Sequence, residues 1–351
     1  MNAPMTVNLF LSSYTWAGAR SAFGPLHHFR CLYEEVFRDH QVSVFPKQLE
    51  SNLIASGIRH VPAMLKGDIN VLAQGYPIIA GALTSLLRRD PRIIVHTWKV
   101  PGISDDRLTA HAYDIALRRS IERARAVVVA SVTQKRQLEM LEVPCPVVFA
   151  PVTVDSSFWH PETPNLEEAL ARFKLERDGY VLTVGSTDRD EIYAAVVARM
   201  LGLTYVRSSW GRRYAEHARE QLAARKLDGH TRILVNPSDI ELRALYAGAF
   251  LVCLPTITRT NPAGLSAVVE TMACGTVAAV PESLAEGYVE DGINGLVLHG
   301  DPEQFVTRVL SLRSGFPSIQ RAARLHAETK LDYLGVGRQV RERFQIERIV
   351  N

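Results

Sequence analysis

Residues 261–275, NPAGLSAVVETMACG, combine three features whose types and spacing suggest chemistry. Gly264 stands where a helix is predicted to begin, and Gly275 stands at the C′ position where that helix ends. The free N–H groups at a helix N-terminus favour an anion. Glu270 lies one and a half turns into the helix, and its carboxylate can accept two hydroxyl hydrogen bonds, which suits a vicinal diol such as a ribose. An ion pair between Glu270 and an arginine at the rim of the site is the alternative.

The elements that must position this helix alternate regularly between strand and helix. Short apolar runs such as TVNLFLSSY (6–14) and YVLTVG (180–185) alternate with segments of helical periodicity in two series. The polar stretch 152–165 separates the two series. Such alternation indicates βαβ units and parallel sheets. We therefore expect an α/β chain with two Rossmann-like, doubly wound domains that face a central cleft at the carboxyl ends of their strands.

Composition and spacing argue against several classes of protein. The chain has 351 residues, 47% of them hydrophobic and 22% charged, with a formal charge of +3, which does not suggest a dedicated nucleic-acid surface. Its four cysteines form no C-x-x-C pair, and the D-x-D at Asp188 and Asp190 is a short pattern that arises often by chance, so we expect no metal site. The N-terminus lacks signal-peptide features and no apolar run approaches a membrane span, so a cytoplasmic location is expected.

The run from 270 to 305 resembles the donor-domain signature of family 4 glycosyltransferases of the GT-B fold. ETMACG (270–275) is similar to that family's E-A-M-A-C-G, YVEDGINGL (288–296) to its E-x-V-x-D-G-x-N-G-L, and GD (300–301) to its final G-D. Weaker similarities cover most of the remaining chain. The resemblance implies an acceptor-side domain at 1–155, a nucleotide-sugar-binding domain at 156–335, and a C-terminal helix at 336–351 that packs back on the first domain.

The same resemblance implies transfer of a sugar, of the hexosyl type, from a nucleotide-diphosphate donor to an acceptor. It further implies retention at the sugar and no metal or other cofactor, the nucleotide sugar being a co-substrate. The acceptor stays open among glycans, lipids and small natural products. Glu270 would bind the ribose, and four backbone positions would face the donor sugar and the distal phosphate: Ala263, Gly264, Leu265 and Ser266.

One departure from the family pattern concerns the cation that offsets the diphosphate. The family usually has an arginine after the glycine of its first donor-domain strand, whereas this chain has Ser186 and no lysine soon after it. The diphosphate charge must still be offset. Arg189 is therefore the catalytic candidate, with Arg259 and Arg212 in reserve. A solvated surface arginine is the alternative for each of them.

A second departure concerns the donor sugar. Pro262 stands where the family usually has another glutamate, so Asn261 becomes the candidate for that contact. These departures leave two other functions open. One is a nucleotide-sugar epimerase or hydrolase on the same fold, and the other is a catalytically weak homologue that binds a nucleotide sugar.

The N-terminal half offers fewer candidates. His96 ends the fourth strand, where the family often has a histidine close to the sugar, and packing in the core is its alternative. Gly18 lies in the loop after the first strand and would approach the phosphates or the acceptor. Contact of four arginines with an anionic membrane surface is left open beside the commoner explanation, a solvated helix face: Arg118, Arg119, Arg123 and Arg125.

Overall fold

The computed structural model describes residues 4–11, 25–45, 53–73, 76–88, 90, 92–97, 108–185, 188–257 and 263–349. The chain divides into two compact units. The first unit contains the described residues up to Pro151 together with those from Tyr333 onwards, and the second contains Val152–Asp332. Each unit is built on its own sheet of six parallel strands, which confirms the expected α/β class and the doubly wound plan.

In the first unit, short apolar strands alternate with helices along the chain. The strands are β1 (Thr6–Phe10), β2 (Gln41–Phe45), β3 (Ile69–Leu72), β4 (Ile93–Thr97), β5 (Ala124–Val129) and β6 (Val147–Phe149), in the sheet order β2-β1-β3-β4-β5-β6. The helices between them are α1 (Pro25–Val36), α2 (Leu53–Lys66), α3 (Tyr76–Leu87), α4 (Leu108–Glu122) and α5 (Val132–Met140).

Strand alternation divides the core of the first unit between the two faces of its sheet. Ile94 packs in one cluster with Phe29 and Tyr33 of α1. Ile93 and Val95 pack in the other cluster, against residues of α2, α3, α4 and α5. Because successive side chains of a strand point to opposite faces, β4 is buried on both sides.

The second unit repeats the plan. Its strands are β7 (Tyr180–Val184), β8 (Thr204–Ser209), β9 (Thr231–Val235), β10 (Leu251–Cys253), β11 (Ala278–Val280) and β12 (Leu296–Val297), in the order β12-β11-β10-β7-β8-β9. The helices are α6 (Leu166–Arg172), α7 (Glu191–Met200), α8 (Arg212–Ala224), α9 (Asp239–Gly248), α10 (Leu265–Ala273), α11 (Glu282–Ala285), α12 (Pro302–Leu312) and α13 (Phe316–His326).

The last helix, α14 (Tyr333–Ile346), belongs to the first unit and packs against α1. Gly337 allows this approach, because a Cβ there would stand 2.6 Å from Cγ of Glu35. Arg341 adds long-range ion pairs to Glu35 at 4.0 Å and to Asp39 at 3.6 Å. The chain thus leaves the first unit after Pro151 and returns to it at Tyr333.

The winding of the second sheet reverses between β7 and β10. From β7 the chain proceeds to β8 and β9 on one side, and from β10 to β11 and β12 on the other. In open doubly wound sheets, ligands bind outside the carboxyl ends of the strands at such a reversal. The carboxyl edge of β7 and β10 is therefore the expected position of a ligand site in the second unit.

Candidate functional site

The candidate site lies at the carboxyl edge of the second sheet, where β7 and β10 end side by side. Leu251 pairs with Val181 in this part of the sheet. Beyond the strands, Asp190 N donates to Pro255 O at 3.0 Å, which ties the segment after β7 to the segment after β10. Helices α7 and α10 both follow these segments, so two helix N-termini belong to this edge of the sheet.

Arg189 occupies this edge with its guanidinium buried; the residue exposes only 6% of its surface. Nε donates to Val184 O at 3.0 Å, and Nη1 donates to Asp188 O at 3.2 Å. Nη1 also reaches Ala263 O at 3.4 Å, just before α10 begins. The guanidinium therefore connects the end of β7 with the start of α10.

Two glycines make room for this guanidinium. Gly185 has a φ of 132° and Gly264 a φ of 114°, values that L side chains rarely adopt. A Cβ at Gly185 would stand 2.7 Å from Nη2 of Arg189, and a Cβ at Gly264 would stand 2.8 Å from the same atom. The glycine at the start of α10 is thus required by a close approach, and in this structure the approaching group is Arg189.

A second buried arginine, Arg207 of β8, contacts the same turn. Its Nε pairs with Glu191 Oε1 at 2.6 Å, and Tyr205 Oη donates to Glu191 Oε2 at 2.6 Å. Arg207 Nη1 donates to Gly185 O at 2.5 Å. Burial, aided by the positive charge of Arg207, lowers the pKa of Arg189 to about 10. Arg189 is still a cation at neutral pH, whereas the charge of Arg207 is offset by Glu191.

The four backbone positions predicted to face phosphate and sugar, residues 263–266, lie where α10 begins, beside Arg189. Gly264 is the N-cap residue and supplies no side-chain cap, and the first helical hydrogen bond runs from Val268 N to Gly264 O at 3.0 Å. The amides of Leu265 and Ser266 precede that bond, so the helix itself offers them no carbonyl. Amides in this position, together with the helix dipole, suit an anion.

Glu270 lies farther along α10, inside the protein. Every residue of α10 except Ser266 is buried, and Glu270 exposes 4% of its surface. Tyr246 Oη of α9 donates to Glu270 Oε2 at 3.0 Å. Burial raises the pKa of Glu270 to about 8; the hydrogen bond from Tyr246 opposes this rise, and the charge of Asp239 adds to it. At neutral pH the carboxyl group is therefore mostly protonated.

The second aspartate of the D-x-D pattern caps a helix. Asp190 is the N-cap residue of α7, and its Oδ1 accepts from Tyr193 N at 2.9 Å. Asp188 precedes it with a φ of 59°. In the part of the chain that the structure describes, no group of three or more His, Cys, Asp or Glu side chains is arranged to hold a metal ion. Arg212, a reserve cation, is the exposed first residue of α8.

His96, in the first unit, packs with α1. Its exposed fraction is 6%, its Nδ1 lies 3.0 Å from Tyr33 Oη, and its ring centroid lies 4.9 Å from that of Phe29. Burial lowers the pKa of His96 to about 3, so the imidazole is neutral at physiological pH. A catalytic role for His96 stays a prediction, and any such role would be that of a neutral hydrogen-bonding group.

Three predicted donor contacts, Gly18, Arg259 and Asn261, lie outside the described residues, so their roles stay predictions. Sequence reasoning did not select Arg207 or Tyr246, which the structure places against the candidate residues. The sequence does contain a pattern that could have identified Arg207. It is a lone cation within the apolar strand LTYVRSS, and a buried cation requires a partner.

Several residues that carry the family resemblance have structural contacts. Asp291 Oδ2 pairs with Arg308 at 2.6 Å, and Asp291 Oδ1 accepts from Val297 N at 2.8 Å. Asn294 Oδ1 accepts from Glu290 N at 2.7 Å and closes the turn between them. The D-G-x-N-G run therefore shapes the turn that leads into β12 and attaches it to α12.

The exposed side chains of α3 and α4 bear on the membrane contact that the sequence leaves open. Leu86 and Ile115 are exposed by 68% and 56%. Of the nearby arginines, Arg118 pairs with Asp114 at 3.1 Å, and Arg119 pairs with a glutamate at 3.6 Å. None of the described helices has the length and apolar character needed to cross a bilayer. Contact with a membrane surface stays a prediction.

Neither a protein-family model nor a curated protein sequence matches the chain. Solved structures, in contrast, match over nearly its whole length. A glycosyltransferase from Rickettsia africae is 14% identical, with a TM-score of 0.70, and the match covers 100% of both chains. Sucrose-phosphate synthase from Thermosynechococcus elongatus is 13% identical, with a TM-score of 0.77, over 99% of this chain and 100% of that one.

A third structure, Anabaena HepE in complex with UDP and glucose, is 14% identical, with a TM-score of 0.73, over 97% of this chain and 100% of that one. Together these similarities show that the chain has the GT-B fold of these glycosyltransferases. Because the sequence identities are so low, the similarities establish the fold of the chain and nothing beyond it.

Proposed function

We propose that this protein is a glycosyltransferase that moves a hexosyl group from a nucleotide-diphosphate sugar to an acceptor. The observation that carries the proposal is the Arg189 guanidinium, held against Gly185 and Gly264 at the start of α10. A fixed cation beside free helix amides suits a diphosphate. The shared fold, with HepE solved in complex with UDP and glucose, supports the same class of ligand.

In this proposal the diphosphate is the leaving group, and its developing charge is what the site must stabilise. The amides of Leu265 and Ser266 donate to the distal phosphate, and Arg189 supplies the positive charge. The fold fixes the amides and the guanidinium in advance, and the guanidinium is buried, so these groups interact with that charge more strongly than mobile solvated groups would. The backbone of Ala263 and Gly264 faces the donor sugar, and Arg259 and Asn261 are further proposed contacts to the donor.

Glu270 completes the proposed donor site by binding the ribose. The hydrogen bond from Tyr246 uses Oε2, which leaves Oε1 as the acceptor for a ribose hydroxyl. A hydroxyl donor stabilises the ionised form of a carboxyl group, so nucleotide binding lowers the raised pKa of Glu270 and releases a proton. Membership of family 4, retention, metal independence, and roles for His96 and Gly18 belong to the same proposal and rest on the sequence resemblance.

The test compares nucleoside diphosphates with their nucleosides by calorimetry. Arg189→Met should weaken binding of the preferred diphosphate among UDP, ADP and GDP by tenfold to a hundredfold, since charge-assisted hydrogen bonds contribute about 1.5–3 kcal/mol. Binding of the matching nucleoside should stay unchanged. Arg212→Met is the variant for comparison, because it removes the reserve cation, an exposed arginine of the same unit.

A loss of diphosphate affinity in Arg212→Met, with parental affinity in Arg189→Met, would assign the cation to Arg212 and refute the role of Arg189. If no nucleoside diphosphate binds the folded protein, the proposed function fails. If a nucleotide sugar binds but transfers no sugar to any acceptor, the protein is a nucleotide-sugar-binding homologue. Release of free sugar in water without an acceptor would identify a hydrolase.

A further inference from the structure

The structure contains two copies of one helix-start motif in different states. Ser238 and Glu241 begin α9, and Ser131 and Gln134 begin α5, so both helices start with the S-x-x-E/Q pattern of a capping box. In α9 the box is closed: Glu241 N donates to Ser238 Oγ at 3.3 Å, and Ser238 N donates to Glu241 Oε2 at 2.8 Å. Both reciprocal bonds of the capping box are therefore present at the start of α9.

In α5 the same box is open. Ser131 is the N-cap residue with extended backbone, φ −130° and ψ 137°, yet its side chain makes no bond to the helix. Gln134 exposes 2% of its surface, and neither its Nε2 nor its Oε1 has a hydrogen-bond partner in the structure. A buried primary amide with both ends unsatisfied is costly, because it has left water without a replacement.

The packing of α5 explains why Gln134 does not close the box. Gln134 precedes Leu138 by one turn, and Leu138 is fully buried in the cluster that contains Val127 and Val129 of β5. Gln134 therefore lies on the stripe of α5 that faces the sheet. Since side chains on a helix lean toward its N-terminus, the amide is directed to the first turn of α5, at the carboxyl edge of the first sheet.

The groups at this helix start define what can bind there. The first helical hydrogen bond runs from Lys135 N to Ser131 O at 3.0 Å, so the helix offers no carbonyl to the amides of Val132, Thr133 and Gln134. Those amides and the Nε2 group are donors, and the helix dipole adds positive potential. The side-chain carbonyl oxygen of Gln134, Oε1, and the hydroxyl oxygen of Ser131 can accept hydrogen bonds from a hydroxyl group of a ligand.

We propose that the start of α5, with Ser131 and Gln134, binds a small hydroxylated anion, whose oxygens complete the bonds that the open box leaves unmade. The anionic group is a phosphate monoester or a carboxylate next to a hydroxyl. Under the proposed transferase function, on which this assignment rests, that molecule is the acceptor. The site belongs to the first unit and the diphosphate site to the second, so the two can be tested separately.

The experiment measures thermal shifts of the full chain with two anionic probes, glucose 6-phosphate and glucuronate, and with glucose as the neutral control. All runs contain a saturating nucleoside diphosphate, which fills the diphosphate site, at constant ionic strength. One anionic probe should raise the melting temperature of the parent protein, whereas glucose should not. A response to glucose 6-phosphate alone identifies the phosphate monoester, and a response to glucuronate alone identifies the carboxylate.

Three variants separate ligand binding from helix capping. Gln134→Met keeps the side-chain length but removes the unsatisfied amide, so it should raise the ligand-free melting temperature and abolish the probe shift. Ser131→Ala should change the ligand-free value by less than about 1 °C, because no cap bond is lost, and should reduce the probe shift. Ser238→Ala, which opens the closed box, should lower the ligand-free value by about 2–4 °C and retain the probe shift.

The proposal is overturned if Ser131→Ala destabilises the protein as much as Ser238→Ala does, since the box at α5 would then be closed in solution. It is equally overturned if neither anionic probe shifts the parent, or if the shift survives in Gln134→Met. Failure of the proposed transferase function is distinguishable, because that would appear as absent nucleoside diphosphate binding, whatever the response of α5.

Discussion

Replacing Glu270 with glutamine tests the electrostatics of the site through the pH dependence of stability. The folded-state pKa of Glu270 is raised from 4.5 to about 8, and the residue is 4% exposed. Below pH 4.5 the carboxyl group is protonated in both the folded and the unfolded protein. Between pH 4.5 and 8 the unfolded protein releases this proton while the folded protein keeps it, so the free energy of unfolding falls as pH rises.

The magnitude follows from the size of the pKa shift. Each unit corresponds to about 1.36 kcal/mol, so a shift from 4.5 to about 8 corresponds to at most about 5 kcal/mol of stability lost across this window. Glutamine has no such proton. The unfolding free energy of Glu270→Gln, minus that of the parent, should therefore rise from pH 4.5 to 8 and level off above pH 8.

The assay is urea denaturation of the ligand-free parent and variant at one-unit intervals from pH 4 to pH 9. Taking the difference between the two proteins removes the contributions of all groups that titrate identically in both. A difference that stays flat within about 0.5 kcal/mol over the whole range would show that the folded carboxyl group ionises at an ordinary pH. Such a result would refute the reasoning that burial keeps Glu270 protonated.

Two further substitutions test how the site is held together. Gly264→Ala places a Cβ 2.8 Å from Arg189 Nη2, whereas Gly202→Ala, the control, adds a Cβ at a φ of 72° with no atom within 4 Å. Both substitutions should lower the unfolding free energy by about 1 kcal/mol or more in urea titrations. Only Gly264→Ala should also weaken nucleoside diphosphate binding, by at least about tenfold. Equal affinities in the two variants would count against the site. Tyr246→Phe removes the hydrogen bond that lowers the pKa of Glu270. The pH at which nucleotide affinity levels off should therefore move upward in calorimetric titrations. An unchanged pH profile would show that Tyr246 does not influence the ionisation of Glu270.

The regular alternation of the chain allowed most elements to be predicted, and two helices show where this reasoning stops. Helix α2 contains Pro62 in its interior, a residue that normally ends a helical pattern, and packing against α3 stabilises it. Helix α6 begins directly after the polar stretch, following Asn165 in a left-handed conformation. The proline interrupts the helical pattern of α2, and the 7 residues of α6 are too few for a clear periodicity. Tertiary contacts supply much of the stability of such helices.

The candidate site was predictable in its residue types but not in its burial. Helix α10 is buried on nearly every side, so Glu270 faces Tyr246 rather than an arginine at the rim of the site. The gap between Arg189 and Ala263 is 74 residues, and only the pairing of β7 with β10 brings them together. A contact of that kind depends on the order of strands in the sheet, which a single sequence does not specify.

Arg189 and Glu270, two ionisable candidates of the site, are both affected by burial in the same way. Burial pushes each toward its neutral form, because it lowers the pKa of Arg189 to about 10 and raises that of Glu270 to about 8. A ligand with a negative group next to Arg189 and a hydroxyl donor next to Glu270 relieves both penalties at once. Under the proposed function, a nucleoside diphosphate carries these two groups at its two ends. In the ligand-free protein the penalty at Arg189 is the cost of a buried charge, and the penalty at Glu270 is the cost of ionising a buried carboxyl group. These costs then become selectivity for that pairing, since a ligand with only one of the groups leaves the other penalty in place.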